Sequence, residues 1–447
     1  MWDKPFLARL YRLSLPIMLQ QLFVVAGSTI TTLMTGQLGD QAIAASGLAN
    51  QLFFLLSLAQ FGVSSGCAIF TAQFWGSRDN NSILKTLGVA LLMGVGVGAS
   101  FALMAAMAPQ VFLRIFTTDE AVITLGAGFL RIVALSYLFT PVIYAYAFVM
   151  RSTGNARLPM LVSSSGVLIN AFFGYGLIFG RLGMPQLGLN GAAYANLIGR
   201  LSECLLLVWM VYRLKTPLAV PVRQIFSFEW AFFRKITRKV FPVVLNEVVW
   251  ALGILAYSAI YARISTESIA AVSINNSVEN LLFVPIMGIV NACAILVGNA
   301  IGSGKSSRAA AYVKQTLAIG MAMGGLAGAA LVLGRSTVAG LFNISPETRF
   351  FTINLIMIQG VTLWMRAANL IFFISMMRSG GDTRFAYIMD AGFMWTLGVP
   401  LALLGAFVLR LPVHWVYLLV MAEETVKFFI SIRRFRSRRW IHNLIGT

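Results

Sequence analysis

Apolar residues in this chain come in long, nearly unbroken blocks, with neither the alternation of a half-buried strand nor the one-sided stripe of a soluble helix. The blocks fall near residues 13–34, 43–70, 87–112, 122–149, 159–180, 186–211, 241–262, 269–299, 316–335, 350–376, 386–408 and 412–432. A helix needs about 20 residues to cross the bilayer core, so twelve membrane-spanning helices are expected. The fold class is all-α integral membrane. Composition agrees: 58% hydrophobic and 11% charged residues do not fit a water-soluble domain. Met1 to Arg12 is a short polar lead into the first block, so no cleavable signal peptide is expected.

The pattern is written twice. Pro16–Ser77 aligns without a gap on Pro242–Ser303, with 15 identities in 62 pairs, among them Pro16/Pro242, Asn50/Asn276 and Cys67-Ala68-Ile69/Cys293-Ala294-Ile295. Met150-Arg151-Ser152-x-Gly154-x-x-Arg157 returns as Met377-Arg378-Ser379-x-Gly381-x-x-Arg384. Six spans per repeat bring each half back to the same membrane face, so the repeat is parallel, about an axis along the membrane normal. Such duplication points to a secondary transporter.

Charge sets the orientation. With a cytoplasmic N-terminus, 24 of the 34 basic residues lie in cytoplasmic segments and six (Arg114, Arg181, Arg263, Arg335, Arg349 and Arg410) in the opposite loops. The positive-inside rule then places both termini in the cytoplasm. The net charge of +19 follows from topology and anionic lipid, with no need of a nucleic-acid partner.

Residues 1–211 form an expected N-terminal six-helix bundle, 212–239 a basic cytoplasmic linker, 240–432 a C-terminal bundle and 433–447 a basic cytoplasmic tail. In the linker, Arg234-Lys235-x-x-Arg238-Lys239 reads as an amphipathic entry helix at the membrane surface. Cys67, Cys204 and Cys293 fall inside spans and are expected as free thiols. Gly320-x-x-x-Gly324-x-x-x-Gly328 reads as a close-packing helix face.

Several segments together carry a family resemblance: Met34-x-Gly36-Gln37-Leu38-Gly39, Ala44-Ala45-Ser46-Gly47-Leu48-Ala49-Asn50-Gln51, Ala72-Gln73-Phe74-Trp75-Gly76, Arg151-Ser152-Thr153-Gly154-Asn155, Pro242-Val243-Val244-Leu245-Asn246-Glu247 and Arg378-Ser379-Gly380-Gly381-Asp382-Thr383. Over essentially its whole length the chain resembles a multidrug and toxic compound extrusion (MATE) transporter. That resemblance implies two six-helix bundles around a V-shaped central cleft. It also implies alternating-access efflux of mostly cationic amphipathic compounds, driven by inward flow of H+ or Na+, and an essential acid at the place of Glu247.

The residues themselves point the same way, because ionisable groups inside apolar spans are costly and so are functional candidates. Glu247 lies about five to seven residues into the seventh span, roughly 10 Å inside the boundary at 1.5 Å per residue. Its neighbours Trp250, Leu252 and Ile254 offer no charge, so the carboxyl group suits proton exchange near neutral pH, or cation binding when ionised. The bland alternative is a permanent pair with an arginine. Asp390 and Glu279 join Glu247 as ion-coupling candidates. Arg366 is expected in one layer with Glu247 and Asp390, either competing for both carboxylates as a switch or forming a static bridge with Asp390. Arg200 with Glu203, and Glu423-Glu424 with Lys427, stand at one-turn spacing and read as self-contained helical pairs.

The first half departs from the family pattern. Where the resemblance places an aspartate, five residues before the glycine matching Gly36, this chain has Thr31; of an expected asparagine pair in span five it keeps Asn170 and has Gly174. Thr31, Gln51 and Asn170 are left as a degenerate, neutral polar site. Gln21, Asn50, Tyr144, Trp250 and Tyr257 are candidates for lining a substrate cleft, through aromatic stacking and cation–π contact.

Expected partners are small-molecule substrates and membrane lipids, with no nucleic acid, no ATP, no metal and no cofactor beyond H+ or Na+. The chain is expected to act as a monomer in the cytoplasmic membrane. An alternative is a flippase or exporter of a lipid-linked or anionic metabolite with the same architecture. The loop Gly76-Ser77-Arg78-Asp79-Asn80-Asn81 lacks the major-facilitator signature, and no nucleophile elbow, metal-spaced His/Cys cluster or Walker loop supports an enzyme.

Overall fold

Helices α1 (Lys4–Gly36), α2 (Asp40–Ser77), α3 (Asn80–Met107), α4 (Glu120–Val133), α5 (Ser136–Ser152), α6 (Arg157–Phe179), α7 (Leu189–Arg213), α8 (Trp230–Ile264), α9 (Thr266–Gly302), α10 (Ser306–Gly340), α11 (Pro346–Arg378), α12 (Thr383–Val408) and α13 (Val413–Ser437) carry the chain in a computed structural model. It describes residues 3–446; residues 1, 2 and 447, the ends of the expected lead and tail, lie outside the described residues. The apolar blocks fall on these helices, the third running on into a short turn, Pro109–Leu113.

Ten of the helices are long and apolar enough to cross a membrane, and α4 with α5, bent by 50°, brings the number to eleven. The bend splits what the sequence presents as one block. Pro141 in α5 has no N–H to return to the preceding turn, which weakens the helix close to the break. α13 has the length, 25 residues, but carries Glu423, Glu424 and Lys427 in its middle and so is less apolar than the rest.

Local chemistry sets several helix starts. Asp79 accepts from the Ser82 N–H, Ser265 from that of Ser268, and Ser345 from that of Thr348, with Pro346 in the first turn of α11. Each cap satisfies a backbone donor that has no partner inside its helix. The end of α11 and much of α12 are wound as π-helix, over Ile371–Arg378, Ile388–Gly392, Met394–Gly398 and Leu404–Val408. π-Turns inside α-helices gather at functional sites, and here they carry Arg378 and Asp390.

The repeat survives in packing. Gly27 of α1 lies directly against Val167, and its counterpart Gly253 of α8 lies against Met394, the residue matching Val167 in the second half. The expected glycine face of α10 is confirmed as a packing face: a Cβ on Gly324 would sit 2.8 Å from the Trp364 Cα, and Gly328 meets the Gly360 carbonyl. Cys67, Cys204 and Cys293 are buried free thiols.

Contacts divide the chain into two compact units, Pro16–Val244 and Met1–Leu15 with Leu245–Thr447. The divisions therefore fall inside α1 and α8, and not at the ends of a linker spanning 212–239. In the unit containing Leu245–Thr447, Phe6 stacks on Tyr312 with ring centroids 4.3 Å apart, and the Asp3 N–H donates to Gln315 Oε1 at 3.3 Å. In the other, Val240 packs on Gly66 and Phe232 stacks on Phe74. The basic cluster Arg234–Lys239 forms the opening turns of α8.

The expected basic tail is not a free strand of charge. Trp440 is fully buried and stacked on Phe435, the His442 N–H donates to the Gly380 carbonyl at 2.7 Å, and Arg434 pairs with Asp382 at 2.7 Å. These contacts fasten the tail to the turn between α11 and α12.

Candidate ion-coupling site

In the unit containing Leu245–Thr447, α8 offers Asn246 and Glu247, α11 offers Arg378, α12 offers Asp390, and α13 offers Glu423, Glu424 and Lys427. Glu247 is buried and forms a salt bridge with Arg378, Oε1 to Nη1 at 2.7 Å. Arg378 also reaches Asp390 at 3.7 Å, and the Asn246 amide donates to Asp390 Oδ2 at 2.9 Å. Lys427 lies 3.9 Å from Asp390, is paired with Glu423, and is 3.6 Å from Glu424. Tyr257 donates to Glu423 and Asn369 to Glu424, each at 2.7 Å.

One connected cluster thus holds four carboxylates, Glu247, Asp390, Glu423 and Glu424, against two cations, Arg378 and Lys427. Burial of a charge inside an apolar span is tolerated when it is paired. The cluster therefore has two more carboxyl groups than fixed cations.

Arg366 stands elsewhere. It grips Glu279 with two parallel bonds of 2.6 and 2.8 Å, lies 3.5 Å from the Tyr417 hydroxyl, and has its guanidinium 5.3 Å from the centre of the Phe283 ring. The expected Arg366–Asp390 bridge is therefore corrected: Arg366 pairs with neither Glu247 nor Asp390, both of which face Arg378 instead. The planar guanidinium matches one carboxylate completely, and Glu279 supplies it. Lys427 does pair with Glu423 and Glu424, but the group is not self-contained, since Tyr257 and Asn369 join it from other helices.

Arg378, a loop charge by its position between the tenth and eleventh apolar blocks, belongs to this site. It is 6% exposed and points inward from the π-wound end of α11. Its signal was the repeated Met-Arg-Ser motif.

In the unit Pro16–Val244 the equivalent positions build a different set. Gln20, the counterpart of Asn246, accepts from Arg151 Nη2 at 2.7 Å and donates to Ser163 at 2.8 Å. Ser163, the counterpart of Asp390, donates to Glu203 at 2.5 Å, and Arg200 pairs with Glu203 at 2.9 Å. Thr31 and Asn170 do meet, at 3.4 Å, on the wall of a cavity of about 450 Å³ within this unit. Asn50 lines the cavity too.

Five expected residues, Gln51 of the polar site and four of the cleft candidates, do not line a cavity within their own unit. Gln51 and Gln21 are exposed and off the cavity wall; Gln20, one residue from Gln21, carries the contacts instead. Tyr144 stacks on Phe148 beside Arg151, away from the cavity. Tyr257 is buried and bonded to Glu423, with Trp250 packed against the same hydrophobic core.

A family model described as MatE matches residues 16–176 and 242–404, one copy in each half. The chain belongs to the MATE family of multidrug efflux transporters. It is a multi-pass membrane transporter. It is 23% identical over 449 residues to a probable multidrug resistance protein NorM of Thermotoga maritima, covering 96% of this chain and 92% of the relative. It is 25% identical over 411 residues to the probable multidrug resistance protein YoeA of Bacillus subtilis, covering 90% and 87%. A MATE transporter of Vibrio cholerae superposes with a TM-score of 0.87 at 16% identity, covering 99% of each chain. A MOP superfamily transporter of Pyrococcus furiosus gives 0.86 at 20%, covering 98% and 96%. MATE membership accounts for the duplicated helices.

Proposed function

We propose that this MATE protein exports amphipathic organic compounds, cationic ones among them, by alternating access in antiport with H+ or Na+, with Glu247 and Asp390 as the coupling carboxylates. The observation that carries this is the surplus of two carboxylates in the cluster around Arg378 and Lys427. A fixed cluster short of two positive charges in a dry setting attracts protons or small cations. Their arrival and departure gives ion flow a handle on conformation. The two coupling carboxylates share Arg378, so an ion taken by one alters the hold of the arginine on the other. Both termini are assigned to the cytoplasm from the distribution of basic residues.

The test is reconstitution in liposomes with a fluorescent organic cation, imposing a pH or a sodium gradient in turn. Wild-type protein is expected to move the dye along with one gradient. Glu247→Gln abolishes that dependence, while Thr31→Ala leaves most of it. Equal loss in both variants, or flux indifferent to either gradient, overturns the proposal.

A further inference from the structure

The first-half cavity has an electrostatic character opposite to that of the second-half cluster. Setting α7 and α13 start to start puts Glu203 at the place of Lys427 and Arg200 at the place of Glu424, so the charges of the pair are exchanged. With Ser163 replacing Asp390 and Gln20 and Gln21 replacing Asn246 and Glu247, the charged groups left here are Arg151, Arg200 and Glu203. Two cations stand against one carboxylate in this group, with Arg200 and Glu203 on the cavity wall and Arg151 off it, bonded to Gln20.

That carboxylate is also spent. Glu203 is 5% exposed, and its oxygens accept from Ser163 and Arg200. Arg200, by contrast, uses only Nη1, on Glu203; its Nε and Nη2 groups donate to none of the described residues, and 24% of its side chain remains exposed on the cavity wall. The guanidinium is 5.2 Å from the centre of the Phe53 ring, which limits how it can turn. Asn196, one turn before Arg200 on the same wall, makes no side-chain hydrogen bond among the described residues, and the Asn170 amide nitrogen is likewise unused. What the cavity offers a ligand is therefore one partly free guanidinium and two carboxamides, framed by Phe53, Phe54 and Phe129.

We infer that this cavity binds the anionic group, a carboxylate in the first place, of an aromatic amphiphile, with Arg200 as the recognising residue and Asn196 and Asn170 as auxiliary donors. A guanidinium with unspent N–H groups matches a carboxylate by charge-assisted bonds. The volume, about 450 Å³, is that of a site for a drug-sized molecule. Glu203 is already taken up by Ser163 and Arg200, so the N–H groups of Arg200 that stay free call for an acceptor from outside, and a carboxylate supplies one together with a balancing charge. The inference rests on the transport reading and adds to its substrate class zwitterions and anions that carry an aromatic body.

The experiment compares a xanthene dye bearing a free carboxylate with its methyl ester. Binding to the purified full-length protein is followed by fluorescence polarisation, with no ion gradient present. The wild type is expected to bind the acid at least about tenfold more tightly than the ester, the worth of one charged hydrogen bond. Arg200→Gln removes that preference. The double variant Arg200→Gln/Glu203→Gln, which removes both members of the ion pair together, removes it too while keeping the fold. Arg200→Lys retains part of it. Equal affinity for acid and ester, binding of neither, or a preference that survives the double variant overturns the inference. Acid-selective binding without gradient-driven flux would sink the antiport proposal alone, and gradient-driven flux without acid selectivity would sink this one alone.

Discussion

Arg378 holds Glu247 at 2.7 Å and at the same time approaches Asp390 at 3.7 Å, so one guanidinium joins the carboxylates of two helices. Neither acid is free to respond alone. Under the proposed coupling, an ion taken up by Glu247 would release the arginine toward Asp390, and a variant in either position would change both.

Removal of Arg378 should therefore be far more harmful than removal of the pair. Arg378→Met leaves Glu247 buried without its partner and is expected to cost about 3–5 kcal/mol of stability. Adding Glu247→Gln should restore much of it. Thermal unfolding of detergent-purified single and double variants reads the coupling; additive losses would show that the two residues do not depend on one another.

Arg366 and Glu279 form a closed pair, with both carboxylate oxygens engaged. Glu279→Gln is expected to lower thermal stability by about 3 kcal/mol while transport, measured below the unfolding temperature, stays gradient-dependent. Loss of gradient dependence in a fully folded Glu279→Gln protein would move Glu279 into the coupling machinery.

The glycine face of α10 gives an internal control. A Cβ at Gly328 would run into the Gly360 carbonyl, whereas nothing lies within 4 Å of one at Gly325. Gly328→Ala should destabilise by about 1–3 kcal/mol because backbone cannot step aside. Gly325→Ala should be neutral or slightly stabilising, as alanine is the better helix former. Melting temperatures of the two variants, measured side by side, check this; similar values would contradict the close approach of α10 and α11.

Trp440 has no exposed surface although it follows five arginines from Arg433 to Arg439. Trp440→Ala is expected to cost about 3–5 kcal/mol, the range for emptying a buried aromatic site. Limited proteolysis should then cut within the tail of the variant and spare the wild type. An unchanged melting point and digest would mean the tail contributes nothing to the fold.

Much of this was legible in the sequence because the bilayer imposes it. Blocks of about 20 apolar residues must be helices when backbone groups have no water to bond. Duplication from Pro16 to Ser77 and from Pro242 to Ser303 preserved enough identities to reveal two copies, and together with segments such as Ala44–Gln51 and Pro242–Glu247 this pointed to the MATE family. Glu247 stood out for the same reason: a lone carboxyl in an apolar run is expensive. The missing first-half acid at Thr31 was equally visible.

Only the tertiary structure decided the partners. Arg378 looked like a loop charge until the π-winding at the end of α11 placed it beside Glu247, and Arg366 looked like a partner for Asp390 until Glu279 of α9 took both its bonds. Sequence spacing fixes which residues share a helix face. Which faces meet depends on close approaches such as Gly328 against Gly360 and on bends such as the one between α4 and α5. The composition of each charge cluster was present in the chain from the start, but its sign, negative around Arg378 and positive around Glu203, exists only once helices far apart in sequence are packed together.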